Sequence, residues 1–283
     1  MPESVCSPEV FDAFFDDAAV FPPGRAPLGQ AVPDHIARRG TPLGRLVGPL
    51  LLPVDALDAA ASLVDATGEG PLRVGVVVPA GGLDVALAAV ERVAPAIRVG
   101  GLELKTDDLD PRQVVADAAA LTERYSVHVE LAVPHIRAGL LDSFTGTDVR
   151  LKARTGGLVA EAFPSVEDLA EVITTAVAAK RSFKLTAGLH RAVRYRDDST
   201  GFVHHGFLNI AVATGEALDG ADTAAVATTL AETDGSVLAE RLRAIAAQWR
   251  TMFESFGTCS IAEPLDTLDE LDLIPNIASD HGN

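Results

Sequence analysis

Short apolar runs alternate with longer alanine-rich segments over most of the chain. The apolar runs are rich in β-branched residues and occupy 46–53, 72–79, 97–105, 126–134, 149–155 and 182–188, with a last one at 258–263. The main runs begin roughly 25 to 30 residues apart, which is the length of a strand–loop–helix–loop unit. This spacing predicts strands that lie parallel in one sheet.

Helical periodicity fills the gaps between these runs, in segments 54–66, 82–94, 111–125 and 165–180. Ser165 followed by Asp168 has the pattern of a capping box, in which the serine caps the helix and the acid lies in its first turn. The pattern predicts a helix that begins just after Ser165.

The number of units and the chain length favour a TIM-like (β/α) barrel with seven or eight β/α units and parallel strands. Such barrels span about 250 residues, and this chain has 283. An open doubly wound sheet is the alternative, but neither of its usual nucleotide motifs, GxGxxG and GxxxxGK[ST], follows an early strand. We expect residues 1–45 to form a helical extension and residues 46–283 the barrel with its C-terminal helices. An eighth strand lies either within 14–20 or within 202–205.

Composition narrows the class of protein. The 48% hydrophobic content is typical of a folded chain. With 23 basic against 40 acidic residues, the formal charge is −17, and an acidic surface repels the phosphates of nucleic acids. Two cysteines, Cys6 and Cys259, suggest a reducing compartment. Neither a signal peptide nor an apolar run of membrane-spanning length occurs in the sequence, so we expect a cytoplasmic protein with no membrane partner. A homodimer formed through the outer helices remains open.

Polar residues occupy one face of four predicted strands. Side chains alternate between the faces of a strand, and in a barrel the face toward the helices has to be apolar. The polar set that shares the other face is Glu103, Lys105, His128, Glu130, Arg150, Lys152, Arg154 and Lys184. An antiparallel sheet with one wet face would also alternate, but the long helical segments argue against it. We therefore expect this set to point into the barrel.

This inward set has five cations and only two carboxylates, although the whole chain is acidic. Such a local excess predicts a small anionic ligand, a phosphate or a carboxylate, and Arg154 is suited to bind it through two parallel hydrogen bonds. The alternative is a set of buried ion pairs that only stabilises the barrel.

Lys152 and Lys184 occupy matching places on successive strands. Two neighbouring ammonium groups depress each other's pKa, and a neutral lysine amine forms a Schiff base with a carbonyl. Glu130 on the adjacent strand is then the candidate acid–base group. Two alternatives stay open, in which both lysines only bind an oxyanion or only form structural pairs.

A polar loop, 189–206, follows Lys184 and is expected to overhang the mouth of the barrel. Its candidate ligand-binding residues, together with one residue just beyond it, are His190, Arg194, His205 and Asn209. Arg194 is suited to an anion, the histidines to proton transfer and Asn209 to a helix cap or a ligand.

A metal site made of His190, His204, His205 and Glu130 is a weaker alternative, because no HExxH or HxH spacing is present. We expect neither a metal nor a cofactor. Asp16 and Asp17, which precede a proline-rich turn, either reach the mouth or shape that turn.

Two segments resemble a known family. LKARTGG (151–157) and FKLTAGL (183–189) are similar to the paired lysine strands of class I deoxyribose-phosphate aldolases. This resemblance implies that Lys152 forms the Schiff base and that Lys184 tunes it. Four longer segments resemble an uncharacterised bacterial protein family, which implies a shared fold and site but no reaction: FFDDAAVFPPG (14–24), FKLTAGLHRAVR (183–194), HHGFLN (204–209) and TCSIAEPLDTL (258–268).

These patterns predict a barrel enzyme that acts on a small anionic carbonyl compound, a sugar phosphate or an oxo acid, with an aldolase-type lyase as one form. The alternatives are a non-catalytic sensor that binds a small anion and a metal-dependent lyase or isomerase.

Overall fold

Eight parallel strands close into a barrel in the computed structural model, which describes residues 8–274. The strands are β1 (Phe15–Asp17), β2 (Val47–Pro53), β3 (Leu72–Val78), β4 (Ile97–Leu104), β5 (Ser126–Glu130), β6 (Arg150–Arg154), β7 (Phe183–Thr186) and β10 (Phe253–Thr258). They follow one another around the barrel in chain order, and β10 pairs with both β7 and β1. The TIM-like barrel is thereby confirmed.

The eighth strand is β1, which lies within 14–20. The other candidate segment, 202–205, instead contributes to a small antiparallel hairpin of β8 (Tyr195–Arg196) and β9 (Val203–His204). The N-terminal segment therefore supplies a strand of the barrel as well as helices. The last strand was predicted at 258–263 but occupies 253–258, because a register shift between Phe253 and Ser255 breaks the alternation that marks a strand.

Twelve helices surround the strands in the described part of the chain. They are α1 (Leu28–Ala37), α2 (Pro42–Leu46), α3 (Leu57–Thr67), α4 (Leu83–Val93), α5 (Pro111–Ala119), α6 (Val133–Arg137), α7 (Val166–Ala178), α8 (Phe207–Leu218), α9 (Thr223–Ala231), α10 (Gly235–Ala244), α11 (Trp249–Met252) and α12 (Ala262–Asp269). The capping box is confirmed, since the Asp168 amide donates to Ser165 Oγ at 3.1 Å. Within residues 8–274 no helix is long and apolar enough to cross a membrane.

An aromatic cluster closes the seam between β1 and β10. The ring of Phe14 lies 5.0 Å from that of Phe253 and 5.3 Å from that of Phe256, both edge-on. The ring of Phe207 on α8 stacks on Phe256 at 5.1 Å. Edge-to-face and offset rings contribute beyond the area they bury. The cluster therefore holds the short first strand in the barrel and seats α8 against the same seam.

The two acidic residues of β1 point to opposite faces. Asp17 faces outward to α1, where it accepts hydrogen bonds from His35 Nδ1 at 2.9 Å and Arg38 Nη1 at 2.8 Å. Asp16 faces the interior and accepts a hydrogen bond from Lys184. Asp17 therefore fixes α1 against the barrel, and Asp16 is one of the charged residues inside it.

Candidate active site

Charged side chains of alternating sign run from the barrel interior to its C-terminal mouth. We call this series the ionic chain; its members are Asp16, Lys184, Glu103, Lys152, Glu130 and Arg154. At the inner end, Lys184 Nζ lies 2.6 Å from Asp16 Oδ2 and also donates to Glu103. Ser255 Oγ donates to the same oxygen of Asp16 at 2.7 Å. The inner lysine therefore has a carboxylate on each side.

The outer half of the ionic chain has the same arrangement. Lys152 Nζ lies 2.8 Å from Glu103 Oε2 and 2.8 Å from Glu130 Oε2. Glu130 is shared with Arg154, whose Nη1 lies 3.4 Å from Oε1. Glu103 thus joins the two lysines, and Glu130 joins the outer lysine to the exposed guanidinium of Arg154.

Strand register explains why these groups meet. Glu130 pairs with Lys152, and Lys152 pairs with Lys184, so three neighbouring strands place their charges in one row. The apolar positions between them, such as Leu151 and Leu185, are fully buried on the opposite face, toward the helices. The predicted division of these strands into an inward polar face and an outward apolar face is confirmed.

The two lysines do not depress each other's pKa, and that expectation is wrong. Burial by itself would lower the pKa of Lys184, but the charges of Asp16 and Glu103 outweigh it and raise the pKa above its usual value. Lys152 is raised in the same way, against burial, by Glu103 and Glu130. Both amines are therefore held as ammonium ions.

The carboxylates of the ionic chain respond in the opposite sense. Burial would raise the pKa of Glu103, but Lys152 and Lys184 together hold it well below its usual range. The pKa of Glu130 is lowered against burial by Lys152 and, more weakly, by Arg154. At neutral pH the ionic chain therefore has three negative and three positive groups, and their charges balance.

The predicted excess of cations is smaller than the sequence indicated. Asp16 and Glu254 join Glu103 and Glu130, so four carboxylates face the same five cations. Glu254 lies at the N-terminal end of the barrel, 3.1 Å from both His128 Nε2 and Arg150 Nη1. His128 and Arg150 thus belong to the end of the barrel away from the mouth.

A cavity of about 550 Å³ opens at the C-terminal mouth, directly above the ionic chain. Its floor includes Glu103, Lys152 and Thr186, and Lys105 and Arg154 stand beside them. Within residues 8–274, no carboxylate lies at ion-pair distance from the ammonium of Lys105. The cavity therefore presents Lys105 and the exposed Arg154 to a ligand, and the largely buried Lys152 lines its floor. Lys184 lies beneath its floor.

Aromatic side chains form another part of the wall of the cavity. His204 of the β8–β9 hairpin packs between Tyr195 and Phe163, with ring centres 4.9 and 4.7 Å away. The ring of Phe202 lies 5.4 Å from that of Phe163. All four rings line the cavity, so the hairpin covers one side of the mouth.

Left-handed backbone shapes the cavity just after β7. Ala187 has φ +63° and Gly188 has φ +78°, a conformation that costs free energy for alanine and tends to occur at functional sites. Thr155 Oγ1 donates to the Ala187 carbonyl at 2.6 Å and holds this turn. A Cβ at Gly188 would meet the ring of Phe163 at 3.1 Å. The turn therefore needs glycine for both its conformation and its packing.

His190 lies in the cavity, as predicted for the loop. Its Nδ1 lies 2.9 Å from Glu263 Oε2, and burial lowers its pKa despite that carboxylate. The Sγ of Cys259 lies 4.0 Å from the same nitrogen, a juxtaposition with a base that the sequence did not suggest. Burial raises the pKa of Cys259, so the thiol is protonated at neutral pH.

Three predicted ligand-binding residues lie outside the cavity lining. Asn209 Oδ1 accepts from the Arg194 amide at 2.9 Å, and its Nδ2 donates to the carbonyls of Thr229 and Glu232 at 3.0 and 2.8 Å. His205 Nε2 donates to the Pro164 carbonyl at 2.8 Å. These contacts tie the loop to the helices, so Arg194, His205 and Asn209 have structural partners rather than a place in the cavity.

The alternative metal site is not assembled. His204 lines the cavity, but its neighbour His205 points away from it and is fully buried. In the part of the chain from 8 to 274, no group of three or more histidine, cysteine, aspartate or glutamate side chains is arranged to hold a metal ion. Cys6 lies outside the described residues.

No protein-family model, curated protein or solved structure matches the chain. The resemblances to class I deoxyribose-phosphate aldolases and to an uncharacterised bacterial family therefore stay predictions, and the site has to be interpreted from its own chemistry.

The sequence analysis did not identify all the ion-pair partners of the lysines or the aromatic residues that line the cavity. Asp16 was only an alternative, and Phe163, Tyr195 and Phe202 were not proposed. A usable signal existed for the last two, because the polar turn residues 197–201 between them are typical of a short hairpin. No comparable signal pointed to Phe163.

Proposed function

We propose that this protein is an enzyme that acts on a small anionic carbonyl compound, an oxo acid or a sugar phosphate, with Lys152 as the cation that faces the substrate. One observation carries the proposal: Lys152 lines the floor of the mouth cavity, and its Nζ is fixed between two carboxylates at 2.8 Å. Active sites of this class of barrel lie at the same C-terminal end.

Lys105 and Arg154 supply the affinity for an anion. Both line the cavity together with Lys152. Among residues 8–274 no carboxylate lies at ion-pair distance from Lys105, although the charge of Glu130 attracts it, and Arg154 has the long 3.4 Å contact with Glu130. A carboxylate or phosphate would replace that contact with charge-assisted hydrogen bonds, which are shorter and stronger.

Lys152 acts on the carbonyl oxygen. Its raised pKa keeps it an ammonium ion, and a fixed positive group aimed at an oxygen that gains charge stabilises an enolate or alkoxide. Of the two carboxylates beside Lys152, Glu103 is held on both oxygens by lysines, so Glu130 is the candidate to accept a proton from carbon or return one. An anion that draws Arg154 away from Glu130 would leave one oxygen of Glu130 free for this transfer.

Lys184 is a positioning residue in this scheme. It lies below the floor and fixes Glu103, which in turn fixes Lys152. The assignment agrees with the role that the aldolase resemblance implies for the second lysine.

A Schiff-base route, as in an aldolase-type lyase, uses the same residues. Lys152 would first pass a proton to Glu130, and its amine would then condense with the carbonyl and release one water. Borohydride reduces such an imine to a stable secondary amine. Mass added to Lys152 on borohydride treatment supports this route, and catalysis without added mass supports the ammonium route.

Hydrogen–deuterium exchange at the carbon next to the carbonyl tests the proposal without knowledge of the final product. Pyruvate and dihydroxyacetone phosphate are incubated with the protein in D₂O and followed by proton NMR. We expect exchange that is at least a hundredfold slower in Lys152→Met, because loss of one stabilising group for an oxyanion costs a factor of about 10² to 10³. Lys180→Met, which changes an exposed lysine, is the matched control. Equal exchange in wild type and Lys152→Met would refute the proposal.

A non-catalytic anion sensor is the second candidate, and the balanced pairing of the ionic chain favours it. Structural networks of this kind occur without catalysis. Saturable binding of an oxo acid with neither exchange nor trapping would identify the protein as a binder.

A further inference from the structure

The cavity is larger than the smallest substrates of the proposed reaction require. Its volume of about 550 Å³ lies in the range that accommodates drug-sized ligands. A three-carbon oxo acid held by Lys105, Arg154 and Lys152 would occupy only the charged side.

The rest of the cavity is mainly apolar and aromatic, and its polar members include His190, Asp197, Ser199, Thr200 and Glu263. Phe163, Phe202 and Tyr195 line it together with the ring of His204, and Phe21, Pro22 and Pro23 complete the wall. Aromatic faces of this kind pack against planar or branched apolar groups. A sugar chain, in contrast, needs hydrogen-bond partners for each hydroxyl that it buries.

Polar groups of the hairpin wall already have partners in the protein. Asp197 Oδ1 accepts from Ser199 Oγ at 2.6 Å and Thr200 Oγ1 at 2.9 Å. His204 Nδ1 donates to the Gly188 carbonyl at 2.9 Å, and His190 is paired with Glu263. These internal bonds reduce the number of polar groups that are free to bind a ligand beside the aromatic rings.

The rim adds an apolar side chain that the core does not use. Leu158 lines the cavity, although 66% of its surface is exposed. An exposed apolar group at the edge of a cavity often marks the place where a ligand is covered. Leu158 lies just beyond β6, four residues after Arg154, so charged and apolar contacts come from adjacent positions of one segment.

We infer that the substrate is an amphipathic oxo acid, with its carboxylate at Lys105 and Arg154 and an apolar group of about the size of a phenyl ring against Phe163, Phe202 and Leu158. This inference rests on the proposed function, because the carbonyl is taken to lie at Lys152. It selects aromatic and branched aliphatic oxo acids over sugar phosphates.

Calorimetric titration of the full chain with four probes tests the inference. Phenylpyruvate carries the ring, the carbonyl and the carboxylate; pyruvate lacks the ring, phenylacetone lacks the carboxylate, and dihydroxyacetone phosphate represents the sugar phosphates. We expect the Kd of phenylpyruvate to be at least tenfold lower than that of each other probe, since burial of a ring favours binding.

Two variants locate the ring. Phe202→Ala should reduce the preference for phenylpyruvate over pyruvate to less than threefold. Leu158→Ser, at an exposed position where folding is not at risk, should reduce it about two- to threefold. Val85→Ser is the matched control, because Val85 is 67% exposed and lies on α4, away from the cavity. It should leave the preference unchanged.

The outcomes separate the two proposals. Equal affinity for pyruvate and phenylpyruvate, or tighter binding of dihydroxyacetone phosphate, would overturn the inference and leave the proposed function intact. A preference that Leu158→Ser and Phe202→Ala do not change would also overturn it. Tight binding of phenylacetone without need of the carboxylate, or no binding of any probe at millimolar concentration, would overturn both.

Discussion

Lys152 and Lys184 stand in register on adjacent strands, and each lies between two carboxylates. They differ in what lies above them. Lys152 is among the residues that line the cavity, and Lys184 is not. This difference assigns substrate contact to one lysine and support to the other, although their side chains and local sequences are nearly the same.

Replacement of Lys184 should lower the free energy of unfolding of the protein. In Lys184→Met, Asp16 and one oxygen of Glu103 lose their buried counter-charge, and breaking a buried pair in this way costs about 3 to 5 kcal/mol. Urea denaturation measures the change in the free energy of unfolding. Lys180→Met is the exposed control and should lie within about 0.5 kcal/mol of wild type. A loss below about 1 kcal/mol in Lys184→Met would contradict the ion pairs described here.

The strand face on which each charged residue lies was predictable from the sequence, but Asp16 as an ion-pair partner of Lys184 was not. The alternation of polar and apolar residues in β4 to β7 is sufficient to turn Glu103, Lys152 and Lys184 inward. Asp16 lies in a strand of three residues that are all buried, so alternation gives no signal there. The pKa of Lys184 is raised by Asp16 together with Glu103, and that of Lys152 by Glu103 and Glu130, so the expected direction was wrong because the carboxylates around each lysine outweigh the neighbouring ammonium.

At the level of elements, the closure of the barrel depends on the fit between β1 and β2. Gly48 lies in β2 next to Asp16, and a Cβ at this position would meet Asp16 Oδ1 at 2.1 Å. A strand interior usually disfavours glycine. Here the absence of a side chain leaves room for the carboxylate that pairs with Lys184.

Gly48→Ala should therefore destabilise the protein by displacing Asp16, although Gly48 is not itself a member of the ionic chain. The new methyl group has to displace Asp16 or the strand, and overpacking of this kind costs about 1 to 3 kcal/mol. Gly100→Ala in β4 is the matched control, because nothing lies within 4 Å of a Cβ there. Thermal denaturation should rank Gly48→Ala well below both wild type and Gly100→Ala. Equal melting temperatures for the two variants would refute this account of the seam.

The sequence pattern predicted the positions of some strands less well than those of others. Six strands stand out because intervening segments of about the length of a β/α unit separate them, although only the five-residue α6 and a 3-10 helix lie between β5 and β6. The last strand, β10, follows a long insertion and contains a register shift, so its alternation is broken and the pattern placed it five residues late. The β8–β9 hairpin was hidden for another reason, since strands of two residues have no periodicity.

For the whole molecule, buried histidines set the response to acid. Burial lowers the pKa of His205 to about 4, and Arg194 contributes in the same direction. In the unfolded chain its pKa is about 6.5. Below pH 6.5 the unfolded chain therefore binds a proton that the folded protein refuses until about pH 4. Stability falls across this window as the pH is lowered.

The loss from His205 should be on the order of 3 kcal/mol between pH 7 and pH 4. His205→Gln keeps a donor for the Pro164 carbonyl but does not titrate, so its free energy of unfolding should fall less over the same range. The comparison between pH 8 and pH 9, where His205 is neutral in both the folded and the unfolded state, is the internal control. Parallel curves for wild type and His205→Gln from pH 7 to 4 would contradict the prediction.

The most direct test of the central claim is a crystal structure of the protein soaked with phenylpyruvate. The account predicts the carboxylate against Lys105 and Arg154, the carbonyl oxygen within hydrogen-bond distance of Lys152 Nζ, and the ring against Phe163 and Phe202. A ligand bound elsewhere, or an empty cavity with Lys152 still closed between Glu103 and Glu130 at millimolar ligand, would contradict it and leave the ionic chain a purely structural feature.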